Sequence, residues 1–200
     1  MKNPVFAALA APLLVTALSA LPALANPVPG SEARSQLFHP ERVEVVRHNT
    51  QGLSDQEVQI LASVAQGQKY YAAVAFAPGD GLMSAATVMA ANHHTVDAAR
   101  SAALAECEER RLAAGSCVIV LEVRPAGWQA RALQLSADAT AAFDAGYPTR
   151  PGPAALAISP ATGLWGLGQG ERAAADALAA CSDGNGSEST AGDCAVVITD

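Results

Sequence analysis

One segment of this chain occurs twice: Ala72-Ala73-Val74-Ala75-Phe76-Ala77-Pro78-Gly79-Asp80-Gly81-Leu82 returns as Ala154-Ala155-Leu156-Ala157-Ile158-Ser159-Pro160-Ala161-Thr162-Gly163-Leu164, with six of the eleven positions identical. Each copy leads into an Ala-rich stretch ending in Leu-Ala-Xaa-Cys, at 104–107 and 178–181, then a polar loop, a second cysteine and an aliphatic run. A β-type run, a Pro-Xaa-Xaa-Gly turn in which proline presets φ and glycine accepts φ > 0, a second strand, a helix and a third strand follow in that order in both copies. The expected fold class is α+β, with two similar β-β-α-β units sharing one mainly antiparallel sheet and helices packed on it. Sharing is favoured because a three-stranded unit has exposed edges and little core of its own.

The chain divides into a signal peptide (1–25), an N-terminal arm with a short strand and helix (26–69), the first unit (70–124), a connecting strand and helix (125–152) and the second unit (153–200). Lys2, an apolar stretch from 5 to 21 and Ala23-Leu24-Ala25 stand in the order of a cleavable secretion signal, with the cut between Ala25 and Asn26. A transmembrane anchor fits less well, since Pro12 and Pro22 interrupt the stretch and no basic cluster follows it. Export puts the four cysteines where disulfides persist. Of three possible pairings, Cys107 with Cys117 and Cys181 with Cys194 give each copy the same local bridge, which constrains the unfolded chain by about 3 kcal/mol each. A metal site is not expected, because no closely spaced cysteine pair is present and the second copy has no counterpart of His93-His94.

The formal charge is −7, and loss of Lys2 leaves 11 basic against 19 acidic residues. Such a surface repels phosphate backbones and shows no basic stripe, so nucleic acid is not expected as a partner. A mature chain of about 175 residues buries roughly 70% of its unfolded surface, enough for one core. With few aromatics and much alanine, that core should be closely packed, with Phe76, Met83, Trp128 and Trp165 filling gaps.

Elsewhere, a turn of helix is expected near 32–37, a strand at 43–46, and a helix over 55–65 started by the capping box Ser54-Asp55-Gln56-Glu57. The second strands should run 82–89 and 164–168. Helices should run from Thr95 to about 112 and over 172–180. Residues 128–135 are strand-like, and Ser136 or Asp138 can cap a helix ending near Gly146.

Reactive candidates are few. Asn92-His93-His94-Thr95 lies in an insertion that the second copy lacks, at a helix entry, and His93, His94 and Asp97 form the one plausible catalytic cluster. His39 and His48 read as exposed arm residues. Glu106, Glu108 and Glu109 read as a solvated helix end, and Gly163, Gly166, Gly168 and Gly170 as flexible or closely packed strand backbone, without a phosphate fingerprint. No convergent acid, base and nucleophile is evident. The function expected is therefore a non-enzymatic binding or interaction module, periplasmic or secreted, acting on an unidentified periplasmic protein or small ligand, with no cofactor and no membrane anchor after cleavage. A small enzyme using His93, His94 and Asp97 is the alternative.

The pattern Ala-Ala-Xaa-Ala-Xaa-Xaa-Pro-Xaa-Xaa-Gly-Leu, Trp165-Gly166, and the Ala-rich helix with a cysteine, short loop and cysteine resemble a family of small exported bacterial domains of unknown function. The resemblance covers 70–123 and 153–200 and implies export and local disulfides. Chains similar to this one over nearly their whole length in alphaproteobacteria carry a 5-aminolevulinate synthase label. That activity is not expected, since it needs a Schiff-base lysine and a large two-domain fold, and after cleavage only Lys69 remains.

Overall fold

The computed structural model describes residues 26–148, 152–184 and 189–200; the cleavage site at Ala25 lies outside them. Short α1 (Gly30–Gln36), β1 (Val43–Arg47) and α2 (Asp55–Gln66) precede the first unit, which is β2 (Ala72–Phe76), β3 (Val88–Ala90), α3 (Val96–Arg110) and β4 (Val118–Pro125). After α4 (Ala137–Gly146), the second unit is β5 (Ala154–Ile158), β6 (Trp165–Gln169), α5 (Ala173–Ser182) and β7 (Ala195–Thr199). The fold is α+β, and both units follow the order β-β-α-β.

The units do not share a sheet. The first sheet has the order β1-β4-β2-β3 and the second β6-β5-β7, antiparallel throughout. In each, the first strand of the unit lies between the other two. The pairing register slips at the same place in both copies, between Val74 and Ala75 and between Leu156 and Ala157. The edges that a shared sheet would have joined are covered by the arm instead. β1 pairs with the free side of β4, and Val28 bridges to Ile198 on the free side of β7, its N–H reaching Val197 O at 3.0 Å.

The period of two in the β5 sequence decides what packs where. Ala154, Leu156 and Ile158 join Phe143, Tyr147, Leu133, Leu135 and Ala33 on one face, whereas Ala155 and Ala157 meet Ala173, Ala177 and Cys181 of α5 on the other. α5 lies almost directly on β6, because Gly166 and Gly168 have no side chain beneath it. A Cβ on Gly168 would stand 2.8 Å from Ala177 N and closer still to Ala173 O. Disulfides Cys107–Cys117 and Cys181–Cys194 tie each helix end to the strand that follows.

Three local expectations fail. Residues 82–87 form successive turns closed by Thr87 Oγ1 on Leu82 O at 2.6 Å, which shortens β3 to three residues and leaves Met83 95% exposed instead of in the core. Residues 128–135 form no strand: Leu133 N–H bonds to the Gln36 side chain at 2.9 Å, so a side chain replaces a ladder partner. The α3 helix stops at Arg110, and Leu112 is 96% exposed. The caps hold as expected: Ser54, Thr95 and Ser136 each accept a backbone N–H three residues on.

Gly168→Ala should lower unfolding stability by about 3 kcal/mol, since the added methyl has only helix backbone to press against. Urea denaturation checks this; a loss below 1 kcal/mol would mean that α5 does not sit this close to β6.

Candidate functional site

The insertion Asn92-His93-His94-Thr95 lies between the two units, and three of its side chains have a structural task. Asn92, at φ 62°, donates to Asp138 Oδ2 at 3.0 Å and accepts from Asp138 N at 3.1 Å, so it holds the start of α4. Thr95 caps α3 through Ala98 N at 3.0 Å. His94 is 1% exposed; its Nδ1 accepts the Ser136 N–H at 2.9 Å, and its Nε2 lies 3.0 Å from Leu164 O. An acceptor at Nδ1 and a carbonyl at Nε2 fix the neutral tautomer with the proton on Nε2, which donates to Leu164 O. Burial pushes the His94 pKa down to about 4, more than the Leu164 contact raises it. The His93 imidazole is also held below its ordinary value by burial, and the His93 backbone N–H donates to Tyr71 O at 3.1 Å.

The turn of the second unit is shaped for this contact. Gly163 has φ +83°, and a Cβ there would press on the Asn92 carbonyl and stand 3.1 Å from His93 Cα. Gly81, its counterpart in the first copy, has nothing within 4 Å of the same position. Asp97 does not join the histidines. Its side chain is 92% exposed and its nearest charged partner is Arg100 at 3.8 Å. The cluster proposed from the sequence is thus not assembled, and both nitrogens of His94 are occupied.

A pocket of about 200 Å³ opens beside His94. The arm contributes Asn26 and Val28, the first unit His94 and Thr95, the connector Ala132, Leu133 and Gln134, and the second unit Ile158, Pro160 and Val197. No charged side chain lines it. Gln134 is oriented by the Trp128 indole, whose Nε1 donates to its Oε1 at 3.4 Å, and Arg124 stacks its guanidinium over the Trp128 ring, 4.6 Å from the ring centre.

Sequence reasoning missed Glu122. Its side chain is fully buried in the aliphatic strand β4, on the face toward α3. Arg124 donates to Oε2 from Nε at 2.8 Å; Oε1 is held by charge contacts with Arg100 and with His48 Nε2 at 3.0 Å rather than by aligned hydrogen bonds. Burial raises its pKa, but the Arg124 bonds and the contacts with Arg124 and His48 outweigh burial and hold the carboxyl below its ordinary value. The signal was a lone acid in Val118-Ile119-Val120-Leu121-Glu122-Val123, a place where a carboxylate is kept only with partners. His48 is accordingly not an idle arm residue. Of the α3 acids, Glu106 pairs with Arg110, and Glu108 pairs with Arg111 and accepts the Cys117 N–H at 2.7 Å.

Among the described residues no group of three His, Cys, Asp or Glu is placed to hold a metal ion, and no helix is long and apolar enough to cross a membrane. Lys69 is 58% exposed and pairs with Asp138 at 2.7 Å. No family model, curated protein or solved structure matches the chain.

The lowered His94 pKa makes stability depend on pH with a defined sign. Between pH 6.5 and about 4 the unfolded imidazole takes up a proton that the native one refuses, so stability is complete above 6.5 and falls by about 3 kcal/mol across that window. His93 acts in the same direction, while the Glu122 contribution is lost only below the ordinary carboxylate range. Urea titrations from pH 7.5 to 4.5 should show the decline; a flat profile would contradict a buried neutral His94.

Glu122→Gln removes the charge that three cationic or protonatable side chains share, and should cost about 3 kcal/mol. Chemical denaturation at pH 7 measures this, and an unchanged midpoint would show the cluster to be incidental.

Proposed function

We propose that this chain is an exported, non-enzymatic ligand-binding module whose site is the pocket between its two units. The observation that carries the reading is the pocket's chemistry: an aliphatic wall of Val28, Leu133, Ile158, Pro160 and Val197, a few polar groups at Asn26, Thr95 and Gln134, and no charged side chain. Such a lining selects a small, mainly apolar, uncharged ligand with one or two hydrogen-bonding atoms. His94 contributes shape rather than acid–base chemistry, since both of its nitrogens are bonded within the fold. The duplication supports the same reading, because the insertion in the first copy brings His94 and Thr95 against a wall made by the arm, the connector and the second copy, closing a cleft that neither copy has alone.

Export rests on the charge, apolar run and small-residue site of 1–25 and on two disulfides that need an oxidising compartment. Cleavage after Ala25 would make Asn26, a lining residue, the new N-terminus, so that its α-ammonium is the one charge beside an otherwise uncharged lining. The compartment proposed is the periplasm or the exterior of a Gram-negative cell, and the relationship proposed is with the small exported domains of unknown function that the chain resembles. 5-Aminolevulinate synthase activity is not part of the reading: Lys69 is a solvated charge tied to Asp138, not a buried amine poised for an aldimine.

A panel of small uncharged amphiphiles screened by thermal shift on the mature chain tests the reading. A ligand at a hundredfold its dissociation constant adds about 2.7 kcal/mol and should raise Tm by roughly 5–10 °C. Ala132→Phe, which fills the mouth, should abolish the shift while leaving both disulfides intact. A shift that survives Ala132→Phe would place binding elsewhere, and selective binding of charged ligands alone would defeat the proposal.

A further inference from the structure

Sheet edges invite strand pairing unless something blocks them, and three of the four edges here are blocked. β1 carries Glu44 and Arg47, β3 is three residues long, and β7 is bonded to Val28. β6 has none of these devices. Its sequence, Trp165-Gly166-Leu167-Gly168-Gln169, holds no charge and no proline, and its pairing with β5 shows no bulge.

The direction of its free groups follows from the ladder. Leu164 O accepts from Ser159 N and Gly170 N donates to Pro153 O, both at 2.8 Å, so the even-numbered residues of this strand turn their backbone groups toward β5. The N–H and C=O of Trp165, Leu167 and Gln169 therefore point outward, and none has a backbone or side-chain partner among the described residues.

We propose that β6 is a self-association edge, across which two copies of this chain pair antiparallel, β6 to β6, into one continuous sheet. The outward set is self-complementary about Leu167: a two-fold axis there puts Leu167 opposite its copy and Trp165 opposite Gln169, each facing pair exchanging two backbone hydrogen bonds. Charge favours a second copy at this place. The chain carries a formal −7, so copies repel over most of their surface, and β6 is a neutral strip. The neighbouring helix permits the approach as well. Two β6 strands lie about 4.8 Å apart, but each α5 packs on Ala155 and Ala157 of β5 as well as on β6, so the two helices come side by side farther apart than the strands, and helices approach to about 8 Å only through small side chains. The exposed positions of α5 are Ala174, Ala175, Ala179 and Asp176, and Asp176 is offset by Arg172 at 3.6 Å.

Sedimentation of the mature chain over a range of concentrations, with amide hydrogen exchange read at each, tests this. A dimer is expected at high concentration, with the Trp165, Leu167 and Gln169 amides protected there and exposed on dilution. Gln169→Pro removes one outward donor from each copy without touching the β5 ladder, and should give a monomer with both disulfides formed; Gln169→Thr should remain dimeric. A chain monomeric at every concentration overturns the proposal. So does a dimer whose three outward amides exchange freely, which would place the contact elsewhere. Should Gln169→Pro not fold, the exchange pattern of the unmodified chain decides alone.

Discussion

The neutral imidazole of His94 is the contact on which the arrangement of the two units depends. It accepts from the residue that caps α4 and donates to the turn of the second unit, so one ring fixes the first unit, the connector and the second unit in common. Only an imidazole with its proton on Nε2 satisfies both partners, and burial enforces that state. Gly163 completes the joint by letting backbone lie on backbone. The pocket opens beside this joint, where His94 and Thr95 of the first unit meet aliphatic residues of the arm, the connector and the second unit.

Small side chains set the rest of the geometry. Ala155 and Ala157 on the strand, Ala173 and Ala177 on the helix, and Gly166 and Gly168 beneath it bring α5 onto its sheet at backbone distance. Such contacts gain little from any one residue and lose much from any addition, because a close-packed interior has nowhere to send an extra methyl. The disulfides then secure the helix ends, where an alanine helix has little side-chain purchase.

Much of this was legible in the sequence, since local physics decides it. The capping box at Ser54, the caps at Thr95 and Ser136, the turn glycines and the cysteine pairing all rest on neighbours within about fifteen residues. The failures share a cause of the opposite kind. The strand expected over 128–135 yields because Gln36, some hundred residues earlier, satisfies Leu133 N. The shared sheet yields because Val28 and β1 reach the free edges first. His93, His94 and Asp97, neighbours in sequence, separate because one helical turn carries Asp97 to solvent while His94 turns inward.

Glu122 shows how the acidic chain keeps its first unit specific. A buried carboxylate costs several kcal/mol to desolvate, so it belongs in β4 only if partners arrive together from other elements. Two do, His48 after β1 and Arg100 on α3, and Arg124 on β4 itself joins them. A hydrophobic residue at 122 would accept many registers of β1 and many rotations of α3. The carboxylate accepts the one that brings His48 and Arg100 within reach, and so sets the register in which the arm closes the edge of the sheet. The second unit has Thr199 at the matching place and no such cluster, and there the arm contributes a single bridge at Val28 rather than a whole strand.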